Sequence, residues 1–176
     1  MADAEQLSTL AVTFLNHLPA SLKMYVVDEL PVILRVPAKD ADVGDLVVHD
    51  DRIELTVEIG NISHSHIDTY STDSNSQSER EMKAAVEAVD YVDAIIGDRV
   101  KMRCEYQAGR LLSVSEWDCR SVPGDRGWLL DVADEAREYT WSGKTRHEFR
   151  TAVKQARTPL LQQVRDWWRS RFRSAD

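Results

Sequence analysis

Arg52-Ile-Glu-Leu-Thr-Val-Glu-Ile-Gly60-Asn-Ile-Ser-His64-Ser-His66-Ile-Asp68-Thr-Tyr70 is the stretch on which the fold reading turns. From Arg52 to Ile59, Ile53, Leu55, Val57 and Ile59 alternate with Glu54, Thr56 and Glu58. A period of two predicts a strand with one buried face and one face toward water or a partner. Gly60-Asn61 interrupts the alternation as a tight turn or bulge would, and Ile62 to Tyr70 resumes as extended chain.

Working outward, Ser71 to Ser78 is polar and reads as a loop. Ser78 with Glu81 forms a capping box, opening a helix whose apolar stripe is Met82, Ala85, Val86, Val89, Val92 and Ile96. Gly97 supplies the stop. Val100, Met102, Cys104 and Tyr106 alternate as a strand, Gln107-Ala-Gly-Arg110 is a hairpin loop, and Leu111 to Trp117 returns. Short loops make both hairpins antiparallel, so the centre is β-β-α-β-β.

Upstream, residues 3–18 carry Leu7, Leu10, Ala11, Phe14, Leu15 and Leu18 at helical spacing, with Asp3 and Gln6 placed as a capping box and Pro19 closing the segment. Leu22, Met24, Tyr25, Val26, Val27 and Leu30 suit a helix or a buried strand, and periodicity does not choose between them. Val32 to Val36 lies between Pro31 and Pro37, which favours an edge strand. Lys39 to Asp45 is a polar loop without the acid order of a calcium loop, and Leu46 to Val48 is a short strand.

Downstream, residues 118–136 read as an excursion anchored by Trp128-Leu-Leu130. Tyr139-Thr-Trp141 has strand character, ended by Ser142-Gly143. Thr145 with Glu148 is a third capping box, predicting a helix with Phe149, Val153 and Ala156 on one side. After Thr158-Pro159 the apolar spacing continues through Leu160, Leu161, Val164, Trp167, Trp168 and Phe172. The whole predicts an α+β protein of one domain over 1–176. It would have a mostly antiparallel sheet of about five to seven strands, helices on one face, and a helix at each end.

Composition narrows the function classes. A length of 176 residues suits one domain, and a chain of this size buries enough surface to fold without a metal or disulfide staple. Two cysteines, Cys104 and Cys119, are too few for a disulfide framework or a zinc cage. The start, Met-Ala-Asp-Ala-Glu-Gln, lacks the basic region and apolar run of a secretory signal, and no apolar run reaches spanning length, so a cytoplasmic location is expected. Residues 1–100 hold 19 acids and 7 bases, net −12, while residues 101–176 hold 11 acids and 15 bases, net +4. The acidic majority argues against nucleic acid, whose phosphates call for Lys and Arg, and suits a basic protein partner. A homodimer is compatible with the same composition.

His64, His66, Asp68 and Tyr70 fall on one side of a strand, and Glu54 and Glu58 share the polar side of the strand before it. Two imidazoles and a carboxylate are ligands suited to zinc or iron, so His64, His66 and Asp68 are the candidate set for a divalent metal. The string His-x-His-x-Asp resembles the metal motif of the metallo-β-lactamase fold, but that motif continues with a histidine where this chain has Thr69, and only His147 remains downstream. Cys104 sits in an apolar alternation, Cys119 has no histidine near it in sequence, and Gly143-Lys144-Thr145 lacks the upstream glycine of a phosphate loop. No catalytic set is complete. The C-terminal Arg165-Asp-Trp-Trp-Arg-Ser-Arg-Phe-Arg173 mixes tryptophan and arginine, as segments on membrane surfaces or nucleic acids do. The same pattern also suits a helix packed on the body with a basic C-terminus.

The series Gly60-Asn-Ile-Ser-His64-x-His66-x-Asp68-x-Tyr70, a capped helix, Gly97-Asp-Arg-Val100, a hairpin and Tyr139-Thr-Trp141-Ser-Gly143 resembles a pattern in small bacterial proteins. Some of these are similar to the immunity proteins that accompany secreted polymorphic toxins. The resemblance covers roughly residues 52–143 and transfers no catalytic residue. Together with the acidic first two-thirds and the lack of a complete catalytic set, it points to a non-enzymatic, cytoplasmic, protein-binding role of the immunity or adaptor type, acting by steric occlusion and without a cofactor. The strand-face reading supplies the expected binding residues His64, His66, Asp68, Tyr70, Glu54 and Glu58. The alternatives are a hydrolase-like enzyme with a metal at His64, His66 and Asp68, and a membrane- or nucleic-acid-binding module using the C-terminal helix.

Overall fold

In the computed structural model, residues 6–60, 62–70, 76–120 and 128–150 are described. The α+β class holds, but the strands divide between two antiparallel sheets. The first is a meander of β1 (Val26–Glu29), β2 (Val32–Val36), β3 (Leu46–Asp50), β4 (Glu54–Ile59) and β5 (Ser63–Asp68). The second runs β7-β6-β8-β9, from β6 (Val100–Gln107), β7 (Arg110–Asp118), β8 (Glu135–Thr140) and β9 (Gly143–Phe149). The β-β-α-β-β centre is β4-β5-α2-β6-β7, where α2 spans Gln77–Ile96. That helix follows the first sheet and precedes the second, so each hairpin it joins enters a different sheet.

The inner face of the first sheet is apolar by register. Leu46 pairs with Ile59, Val48 with Val57 and Leu55 with Ile67, all buried. Against it pack α1 (Thr9–His17) and α2, which also touch each other. The buried residues of α2 are Ala84, Ala85, Ala88, Val89, Val92, Ala94 and Ile95. Small alanines let Leu10, Ala11 and Phe14 of α1 come close. Met82 and Val86, expected inside, are 43% and 40% exposed. The true stripe is turned toward the alanines, which carry little hydrophobic signal in sequence. The buried apolar residues form one connected cluster reaching from Leu10 to Trp141.

Local chemistry places the ends. Ser8 caps α1: its Oγ accepts from Ala11 N–H at 3.0 Å, while Asp3 of the expected capping box lies outside the described residues. Buried Asp50 in turn accepts from Ser8 N–H (2.8 Å), Ser8 O–H (2.6 Å) and Arg52 N–H (3.0 Å), tying the helix start to the β3–β4 turn. The expected cap at Ser78 shifts to Ser76, whose Oγ accepts from Glu79 N–H at 3.2 Å, while Gly97 ends α2 as expected. At the β4–β5 turn, Gly60 (φ 50°) lies against Gly44 (φ 82°), and a Cβ on Gly60 would sit 2.0 Å from the Val43 carbonyl oxygen. Only glycine fits there.

Several expectations are corrected. Ile53 is 57% exposed because Arg52 turns the chain at φ 75° and Ile53 N–H closes on the Asp51 carbonyl, so the strand starts at Glu54. Residues 23–25 form a 3₁₀ turn, and β1 after it is a largely exposed edge rather than a buried strand. β2 lies between β1 and β3, so its flanking prolines do not make it an edge. Residues 143–149 are strand, not helix: Arg137 pairs with His147 and Ala136 with Glu148. The Thr145 hydroxyl, expected to cap a helix, donates instead to the Glu138 carbonyl across the ladder at 3.2 Å. The proposed C-terminal helix and its Arg/Trp run lie outside the described residues, as do residues 1–5, 71–75 and 121–127. Among the described residues no helix is long and apolar enough to cross a membrane.

Candidate functional site

The outward face of β3-β4-β5 carries the residues singled out in sequence. Register sets Glu58 beside His64, Thr56 beside His66 and Glu54 beside Asp68, with Val47 and His49 next in line on β3. Alternation and pairing thus bring His64, His66, Asp68, Glu54 and Glu58 onto one side. Tyr70 lies past the strand end, 73% exposed, where its N–H donates to Asp68 Oδ1 at 2.7 Å in a local turn. His49 joins this face unanticipated. Its place in the run Leu46-Val-Val-His49 is the sequence signal, since the strand reaches two residues beyond the apolar triplet.

The hydrogen bonds fix one tautomer. Thr56 O–H donates to Asp51 Oδ2 at 2.6 Å, which uses its only hydrogen. His66 Nδ1, 3.1 Å from both Thr56 Oγ1 and Glu54 Oε1, is therefore the donor to those two acceptors. Its Nε2 remains to accept when the ring is neutral and to donate when it is protonated. His64 packs edge-on to His66 at 5.1 Å between centroids. His49 Nε2 sits 3.1 Å from Glu58 Oε2, though without hydrogen-bond alignment. These are half-exposed pairs on a rigid, laddered surface.

No group of three or more His, Cys, Asp or Glu side chains among the described residues is disposed to hold a metal ion. His64 and His66 meet ring edge to ring face, and His66 turns Nδ1 to Glu54, so the His64, His66 and Asp68 set of the metal-enzyme alternative has no geometric support. Cys104 is buried, and desolvation pushes its thiol up to about 11. Burial and a raised thiol both disfavour the thiolate that a nucleophilic role needs. Cys119 is exposed and unbridged.

Two further polar constructions come from distant parts of the chain. In the first, Arg103, only 1% exposed, reaches Glu138 (2.9 Å), Glu148 (3.3 Å) and Glu105 (3.4 Å). Glu105 also accepts from Leu129 N–H (2.8 Å) and Leu130 N–H (3.0 Å), and the Trp128 ring lies against both Arg103 and Arg150. The Trp128-Leu-Leu130 anchor is therefore electrostatic as much as apolar. On the opposite face of this sheet, Glu135 accepts from Arg137 (2.6 Å) and pairs with His147 (2.7 Å). The Arg137 guanidinium holds the Glu135 carboxyl below the usual range.

The second construction joins the sheets. Tyr91 of α2 donates its hydroxyl hydrogen to Glu116 of β7 and accepts from Ser65 of β5 at 3.0 Å. Burial, helped by the Glu116 carboxylate, raises the Tyr91 hydroxyl well above the ordinary tyrosine range. The Ser65–Tyr91–Glu116 bridge has no sequence-local signature, because each partner lies more than 20 residues from the next. Comparison of the chain with protein-family models, curated proteins and solved structures finds no match.

Proposed function

We propose that this chain is a non-enzymatic protein-binding protein of the immunity or adaptor type, which blocks its partner sterically through the outer face of β3-β4-β5. The observation that carries the reading is the half-exposed array of Glu54, Glu58, His64, His66 and Asp68, held at fixed spacing by a laddered sheet. Rigid, pre-positioned polar groups lose little entropy on binding. The acid excess of residues 1–100 supports a basic partner and fast, salt-dependent encounter. A bacterial, cytoplasmic setting belongs to the same proposal.

The test is affinity capture with the full chain, followed by association kinetics on the recovered protein. Charge reversal at Glu54→Lys and Glu58→Lys should slow association about tenfold or more at low salt. Equal binding by the reversed chain removes this face from the reading. Recovery of no specific protein removes the reading itself.

A further inference from the structure

The two sheets each turn an edge strand toward one cleft over α2. Among the described residues, β5 pairs only with β4 and β7 only with β6. The cleft between them has a volume of about 700 Å³, in the range of ligand-binding sites. Ser65 stands on one wall and Glu116 on the other, with Glu87, Asp90 and Tyr91 of α2 as the floor. Ser65 and Glu116 both reach the Tyr91 hydroxyl from opposite sides. The two edges are therefore linked only through side chains at this level, Ser65 and Glu116 meeting at the Tyr91 hydroxyl, with the cleft opening between them.

The charge in the cleft is one-sided once internal pairs are counted. Arg99 is held by Asp93 at 2.8 Å, and Arg120 is paired with Asp118. Glu87, Asp90 and Glu116 have no ion pair among the described residues, and Glu116 Oε1 is buried without a hydrogen-bond partner. A strand edge presents N–H and C=O groups ready to pair, and a strand bound there gains affinity from the main chain and specificity from alternate side chains.

We propose that the cleft receives an extended segment of a protein partner bearing lysine or arginine, added as a strand between β5 and β7. The inserted main chain pairs with one or both edges. Its cationic side chains, pointing toward α2, meet Glu116, Glu87 and Asp90. The proposal takes its partner class from the protein-binding reading above; the cleft adjoins that face at His66, which also lines it, while Ser65 and Ile67 point to the other side of β5, toward α2.

The probes are synthetic peptides alternating lysine with valine, their glutamate–valine counterparts, and a lysine–valine peptide N-methylated at alternate residues so that it cannot pair. Each is titrated into the ¹⁵N-labelled full chain, followed by amide shifts and hydrogen exchange. The lysine peptide should shift amides of Ser63–Asp68 and Arg110–Asp118, slow their exchange about tenfold, and bind about tenfold more tightly than the glutamate peptide. Glu116→Gln with Glu87→Gln should weaken it about fivefold or more while leaving the free chain's spectrum dispersed. Absent binding, shifts confined to other surfaces, or equal binding of the N-methylated peptide overturns the proposal. Peptide binding here without any captured partner would overturn the proposed function and leave the cleft standing; a captured partner insensitive to the cleft variants does the reverse.

Discussion

The outward faces of the two sheets are built from the same residue types and meet opposite fates. On β4 and β5 the alternate positions are Glu54, Thr56, Glu58, His64 and His66, paired across the ladder and, apart from buried Thr56, partly or largely exposed. On β6, β8 and β9 they are Arg103, Glu105, Glu138 and Glu148, and here Arg103 and Glu105 are almost completely buried. The difference is the Trp128–Leu130 segment, whose amides cap Glu105 and whose indole lies on Arg103. A charged face becomes interior when a covering segment supplies donors for it. Without that cover, the same pattern remains a surface able to meet a partner. Exposed ion pairs contribute about 0–1 kcal/mol, whereas removing one member of a buried set costs about 3–5 kcal/mol.

The sharpest break of this contrast is Arg103→Met. It leaves Glu105, Glu138 and Glu148 without their shared cation and should lower the unfolding free energy by about 3–5 kcal/mol in urea titration. A loss under about 1 kcal/mol would mean that the two faces are energetically alike. Trp128→Ala uncovers the network without deleting a charge and should cost about 2 kcal/mol, read from the same transition.

Acid offers a third test. Glu135 and Asp98 both ionise more readily in the folded chain than at their ordinary values of 4.5 and 3.8. For Glu135 the first cause is Arg137; for Asp98 burial opposes ionisation, but the Ser142 hydroxyl and amide outweigh it. A depressed folded pKa adds stability that is fully present above the unfolded value and lost as pH falls through the folded one. Stability should therefore decline as pH drops below about 4.5, and the decline should be shallower for Glu135→Gln. An unchanged slope in that variant would take Glu135 out of the account. The smallest effect belongs to the open face. His64→Ala and His66→Ala should change stability by no more than about 0.5 kcal/mol, while weakening capture of the partner.

Much of this was legible in the chain. Gly97 after α2, the Ala108-Gly109 turn with φ of 49° and 77°, and the alternation of Glu54 to Ile59 all act within a few residues, so local pattern suffices to read them. The sharing of one face by His64, His66 and Asp68 with Glu54 and Glu58 follows from period two and a two-strand register. What local pattern misassigned were segments where two local solutions compete. Thr145 and Glu148 satisfy a helix cap on paper, yet their side chains find Glu138 and Arg103 across the sheet. Ile53 continues an apolar alternation on paper, yet a left-handed Arg52 ends the strand before it.

By itself, the sequence determined which residues of β4 and β5 share a face, where the central helix stops, and that the class is α+β, because these depend on steric periods of two and 3.6 residues and on a local stop signal. Only the tertiary structure decided that the strands form two sheets, that among the described residues one polar face is covered and the other left open, and that β5 and β7 present their edges to a common cleft. Those outcomes depend on contacts between residues tens of positions apart, and alternation along a strand specifies two faces without specifying what comes to lie on either.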